Sequence, residues 1–191
     1  GGKVKIVNAA APIQGNTVAV DSSGRILVAA ESIGTSSGGN NELVLYRLTD
    51  SGVVDTSFGT AGKATSNLGD QSSNVSIVAI EFDSQGRIIV GGKIEQTGDD
   101  GFIARFDANG LSDTAFNSVG YLVLGAGAGN DFVYSLKVDS SDKIIVSGAK
   151  GGFPVLHRIN TDGTLDTGFG TGGEILLNRQ ATNANTALSV A

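Results

Sequence analysis

Cysteine, methionine and tryptophan are absent from this 191-residue chain, which also has only two prolines and one histidine. Without cysteine there is no disulfide framework and no thiolate-ligated metal. With so little proline, the turns must be made by the 29 glycines together with asparagine and aspartate. There is no run of about eighteen apolar residues, hence no candidate membrane-spanning helix, and no membrane insertion is expected. Basic residues are the scarcer charge, 13 Lys and Arg against 19 Asp and Glu, for a net charge of −6. Nucleic acid and anionic membranes demand clustered Lys and Arg. Here these residues are scattered, so no nucleic-acid partner is expected. Apolar stripes of helical spacing and length are missing as well, so little or no helix is expected.

What the chain does have is internal repetition. The strip Asp55-Thr56-Ser57-Phe58-Gly59-Thr60-Ala61-Gly62 returns as Asp113-Thr114-Ala115-Phe116-Asn117-Ser118-Val119-Gly120 and as Asp166-Thr167-Gly168-Phe169-Gly170-Thr171-Gly172-Gly173. A second strip runs in phase with it. Val20-Asp21-Ser22-Ser23-Gly24-Arg25 is matched by Phe82-Asp83-Ser84-Gln85-Gly86-Arg87 and Val138-Asp139-Ser140-Ser141-Asp142-Lys143. Arg47, Arg105 and Arg158 recur as well. Self-similarity at such a period is the mark of stacked supersecondary units.

Each unit resolves into four strands, A to D. The alternating run Ile80-Glu81-Phe82 and its counterparts make strand A. An Asp-x-x-Gly turn follows, because an aspartate side chain bonds its own backbone two residues on and glycine tolerates positive φ. Strand B is Ile26-Leu27-Val28, Ile88-Ile89-Val90 or Ile144-Ile145-Val146, apolar throughout and so expected to be buried on both faces. Strand C places Phe102, Ala104 and Phe106 on one face, and Ile103 and Arg105 on the other. Strand D is Tyr121–Leu124 or Glu174–Leu177. Residues 8–66 read as repeat one, 67–124 as repeat two and 125–177 as repeat three. Residues 1–7 read as the last strand of a preceding repeat, and 178–191 as the first strand of a following one.

Sheets whose inner strands are apolar on both sides must be sandwiched between like sheets, which radial repetition achieves. The expected fold is therefore all-β, a propeller-like array of four-stranded antiparallel blades. It has three complete repeats and one spare strand at each end. A threefold β-trefoil or β-prism is the alternative. The strip from Leu165 to Gly173 and its copies resemble the delta-60 repeat family of bacterial, propeller-like surface proteins. Two departures stand out: Asn117-Ser118-Val119 where the pattern has Gly-Thr-Gly, and Asp142 in place of the hairpin glycine. Three blades leave open edges, which attract pairing. A homo-oligomer, such as a trimer, is expected.

In such a blade the A–B and C–D turns share one face, and the B–C and D–A loops the other. The turns barely change between repeats, whereas the loops diverge. Binding evolves on divergent loops, so the expected ligand residues are Asn40, Asn41, Glu42, Asp70, Gln71, Asp99, Asp100, Asn130, Asp131, Phe153 and Arg179. The recurrent Arg and Asp residues are expected to be structural, as an ion pair or a carboxylate capping turn N–H groups. His157, alone on strand C, is expected to be a packed or edge histidine. No cofactor is expected. A weak calcium reading attaches to Asp107, Asn109 and Asp113, and to Asn160, Asp162 and Asp166, whose alternate oxygens suit a hard cation but lack the twelfth-position Glu.

No paired acids, no histidine cluster and no supported phosphate loop occur, so the chain reads as a non-enzyme. The expected function is a recognition or adhesion module of an extracellular or cell-surface bacterial protein or fibre. It would bind a glycan or a surface protein. A structural spacer or oligomerisation module is one alternative, and a propeller-type lyase or hydrolase is another.

Overall fold

The computed structural model describes residues 3, 6, 12–33, 41–66, 68, 74–95, 98–125 and 129–177. Twelve strands and no helix occur among them. The first sheet comprises β1 (Ile13–Val20), β2 (Ile26–Ser32), β3 (Glu42–Leu48) and β4 (Lys63–Ser66). The second comprises β5 (Asn74–Phe82), β6 (Ile88–Glu95), β7 (Asp99–Phe106) and β8 (Tyr121–Leu124). The third comprises β9 (Asp131–Val138), β10 (Ile144–Lys150), β11 (Phe153–Ile159) and β12 (Glu174–Leu176). In every sheet the strands follow chain order, and every neighbouring pair is antiparallel. These three separate meanders are propeller blades, and the trefoil and prism alternatives are set aside. The spare strands expected at 1–7 and 178–191 lie outside the described residues apart from Lys3 and Ile6, as do Asn40, Asp70, Gln71 and Arg179.

The blades stack in order. β5 packs across β1, β2 and β3, and β9 packs across β5, β6 and β7. Alternation along the strands divides the core in two. Between blades one and two lie Leu27, Leu45, Phe58, Ile80, Ile88, Val90, Phe102 and Phe106. Between blades two and three lie Ile89, Ile103, Phe116, Leu136, Ile144 and Val146. Burying each large apolar side chain contributes about 1.5–3 kcal/mol.

Strand B of the central blade is buried on both faces, as expected for Ile88, Ile89 and Val90. The outer blades differ. Leu27 is buried while Ile26 and Val28 are half-buried, and Ile144 and Val146 are buried while Ile145 is half-buried. The reason is geometric. Residues of one parity face the neighbouring blade, and residues of the other parity face the open end of the array.

Each first strand carries one extra residue. The pairing skips Asn16 in β1, Val78 in β5 and Tyr134 in β9, so each strand has a β-bulge at the same place. Opposite two of these bulges the partner strand needs glycine. A Cβ on Gly92 would lie 2.0 Å from the Ser76 carbonyl oxygen, and one on Gly148 would lie 1.9 Å from that of Phe132.

Candidate functional site

The recurrent residues build a lock between blades. Asp55 opens the Asp55–Phe58 turn, which follows the turn that leaves β3. Its Oδ1 accepts the Ser57 N–H, and its Oδ2 accepts Arg47 Nε at 2.8 Å. The Arg47 guanidinium lies 4.6 Å over the Phe58 ring, and its Nη1 donates to the Ala108 carbonyl of blade two at 2.6 Å. Beside it, Gly59 N donates to the Asn109 carbonyl at 2.7 Å. Blade two repeats the arrangement toward blade three. Arg105 bonds Asp113 at 2.8 Å, lies 4.7 Å over Phe116 and donates to the Thr161 carbonyl, while Asn117 N donates to the Asp162 carbonyl at 2.7 Å. The receiving turn comes close because it carries glycine. A Cβ on Gly110 would stand 2.7 Å from the Phe58 ring, and one on Gly163 would stand 2.9 Å from that of Phe116.

Both departures from the repeat pattern have a physical account. Gly59 and Gly170 take positive φ, and so does Asn117 (φ 49). In repeats one and three the N–H of Thr60 or Thr171 donates to the Lys63 or Glu174 carbonyl. In repeat two the Asn117 side-chain amide donates to the matching Tyr121 carbonyl at 2.9 Å, so a side chain replaces a backbone donor. Asp142 also has positive φ (58), and its carboxylate accepts both the N–H and the hydroxyl of Ser84 in the preceding blade, at 2.8 and 2.6 Å. These bonds hold the Asp142 carboxyl below the usual carboxylate range.

The calcium candidates are engaged in the same scaffold. Asp107 Oδ1 accepts the N–H groups of Asn109 and Leu111, and Asp162 Oδ1 accepts the N–H and hydroxyl of Thr164. Asn160 donates to the Thr164 hydroxyl. Asp113 faces Arg105. Asp166 is bonded by Lys143 and Arg158, both at 2.7 Å, and the Lys143 ammonium leads in lowering its carboxyl to about 2. Among the described residues no group of three or more His, Cys, Asp or Glu is arranged to hold a metal. His157 is buried on the β11 face toward blade two, and burial lowers its pKa.

The expected ligand residues divide between the two seams. At the first, Asn41 N donates to Asn74 Oδ1 at 3.1 Å, and Glu42 opens β3. At the second, Asp99 N donates to Asn130 Oδ1 at 3.3 Å, and Gly151 N donates to Asp131 Oδ1. Lys93 pairs with both Glu95 and Asp99. Asp100 is 4% exposed, and its Oδ1 has no hydrogen-bond partner among the described residues. Burial first, then the charges of Asp131 and Asp99, push its carboxyl above the usual range. The structure thus brings Asp99, Asp100, Asn130 and Asp131 together, while Phe153 is exposed at the tip of β11. Nearby, Phe132 stacks on Tyr134 with centroids 6.1 Å apart.

One feature had no signal in the sequence. A groove of about 650 Å³ follows the outer seam of blades one and two, lined by Thr65, Ser66, Ser112, Thr114, Ser118, Val119, Tyr121 and Glu42. Its walls come from β4 and from the C–D turn and β8 of the next blade, so only the stacking of blades assembles it. Glu42 ties it to the divergent B–C loop.

A stack of four-stranded meanders locked turn to ring defines a propeller-type repeat protein. Residues 22–58, 84–116 and 140–169 match the family described as "Domain of unknown function (DUF5122) beta-propeller". Each match begins in an A–B turn and ends on Phe58, Phe116 or Phe169. The chain belongs to this family, in keeping with the delta-60 resemblance of the same strips. No curated protein and no solved structure matches the chain.

Proposed function

We propose that this chain is a non-enzymatic recognition module of an extracellular or cell-surface bacterial protein, and that it binds a glycan on another surface. The observation that carries the reading is the groove between blades one and two, with its serine and threonine hydroxyls, the Tyr121 ring and the Glu42 carboxylate. Hydroxyls that both donate and accept suit a polyhydroxylated ligand. A carboxylate accepting two sugar hydroxyls adds charge-assisted bonds, and the half-buried tyrosine offers the apolar face that a sugar ring needs.

The test is a glycan array followed by titration calorimetry on any glycan retained. Glu42→Gln should weaken binding about tenfold, the loss of roughly 1.4 kcal/mol, and a chain whose 33–41 loop is replaced by the shorter loop of repeat three should bind less. A panel with no retained glycan, or equal binding by Glu42→Gln and the loop-swapped chain, would remove the reading.

A further inference from the structure

The two internal locks specify their occupant. Each socket consists of an arginine over a phenylalanine, an adjacent N–H, and apolar residues of strands B, C and D below. Each is filled by the C–D turn of the next blade, which offers two successive backbone carbonyls and a glycine that lets the turn approach the ring. Blade three carries the same socket. Arg158 lies 4.6 Å over Phe169 and bonds Asp166 at 2.7 Å. Yet the Arg158 side chain is 30% exposed, against 6% for Arg47 and 3% for Arg105. Phe169 is partly exposed, whereas Phe58 and Phe116 are fully buried. Gly170 N, the counterpart of Gly59 N and Asn117 N, has no partner among the described residues. Ile145, Leu156 and Ile175 are half-buried on the same face.

The matching plug sits at the other end of the array. The turn Thr49–Gly52 of blade one has the bonding of the two turns that fill sockets. Thr49 N donates to the Val53 carbonyl and Gly52 N to the Thr49 carbonyl, as Asp107 and Gly110, or Asn160 and Gly163, do in their turns. Gly52 has φ 80, against 87 for both Gly110 and Gly163. The carbonyls of Asp50 and Ser51 therefore hold the positions of those of Ala108 and Asn109. Beside the plug, Val18 and Val20 are each 61% exposed, whereas Ile80 and Leu136, the counterparts of Val18, are buried against the preceding blade, and Phe82 and Val138, those of Val20, are half-buried.

We propose that a second copy of this chain docks head to tail on blade three. Its Thr49–Gly52 turn seats over Phe169, the Asp50 carbonyl accepts from Arg158, the Ser51 carbonyl accepts from Gly170 N, and Val18 and Val20 cover Ile145 and Leu156. The contact is heterologous, so each added copy leaves one socket and one plug free, and the assembly ends only if it closes into a ring. The proposal does not depend on glycan recognition.

Sedimentation velocity over a concentration series tests it. The unaltered chain should self-associate. Val20→Glu, which blocks the plug end at an exposed position, and Arg158→Gln, which empties the socket of its charge, should each sediment as monomers. Circular dichroism would check that they keep the β fold, with Val18→Glu as the second variant for the plug end and Arg158→Ser for the socket end. An equimolar mixture of Val20→Glu and Arg158→Gln should form a one-to-one dimer and nothing larger, because only one intact end of each remains. A strictly monomeric unaltered chain, variants that associate as well as it does, or a mixture that stays monomeric would each overturn the proposal.

Discussion

Arg47 donates from Nη1 to the backbone carbonyl of Ala108, 2.6 Å away in the next blade, while its Nε holds Asp55 in its own. One side chain therefore fixes both the Asp55–Phe58 turn of its own blade and the approach of the neighbouring sheet. The cation lies over the Phe58 ring in a site that excludes water, where such contacts are strongest.

Arg47→Met should destabilise the chain by about 3 kcal/mol, the scale for removing one partner of a buried ion pair. Arg47→Lys should recover little of this, since a compact ammonium cannot bond the carboxylate and the carbonyl while also covering the ring as the planar guanidinium does. Urea unfolding followed by circular dichroism would measure both. A loss under about 0.5 kcal/mol, the range of ordinary surface changes, would contradict the lock.

Ser84 and Asp142 should be energetically coupled across the second seam. Ser84→Ala should cost about 1 kcal/mol in the unaltered chain and almost nothing once Asp142 is Gly, because the bonds it removes are then already gone. Asp142→Gly alone should change little, since relief of the positive φ offsets the lost bonds. A double-mutant cycle with no coupling would show that the contact is incidental.

Asp100→Asn should raise the stability of the chain at neutral pH, because it removes a negative charge that burial and the neighbouring Asp131 and Asp99 disfavour. The sign follows from its raised pKa. The folded state holds this proton more tightly than the unfolded chain does, so the penalty is absent below the ordinary aspartate range. It grows as pH rises from about 4 through the folded value and is constant above it. Melting temperatures of the two proteins should coincide near pH 4 and separate toward pH 7. Equal melting at both pH values would show that the carboxylate is not strained by its surroundings.

The sequence displayed the blades because each strand announces itself in the same order three times, and burial of Ile88, Ile89 and Val90 follows from their composition. The structural role of Arg47 and Asp55 was legible from recurrence. The partner of Arg47 was not, because a backbone carbonyl leaves no letter. The bulges at Asn16, Val78 and Tyr134 were also hidden, since three different residues occupy one geometric position. The loops pointed to Asn130 and Asp131 but not to the bonds they accept from Asp99 and Gly151. The groove was invisible because ordinary serines and threonines from two blades form it only after stacking. Ile26 and Ile145 read like Ile88, yet half-burial comes from their place in the array and not from their local pattern.

Every lock points the same way along the chain, from the ring of one blade to the turn of the next. A tensile load that separates neighbouring sheets would therefore meet a lock of the same kind at each seam, and one seam could rupture while the other held. Such a ladder of like steps would yield seam by seam and so dissipate force gradually.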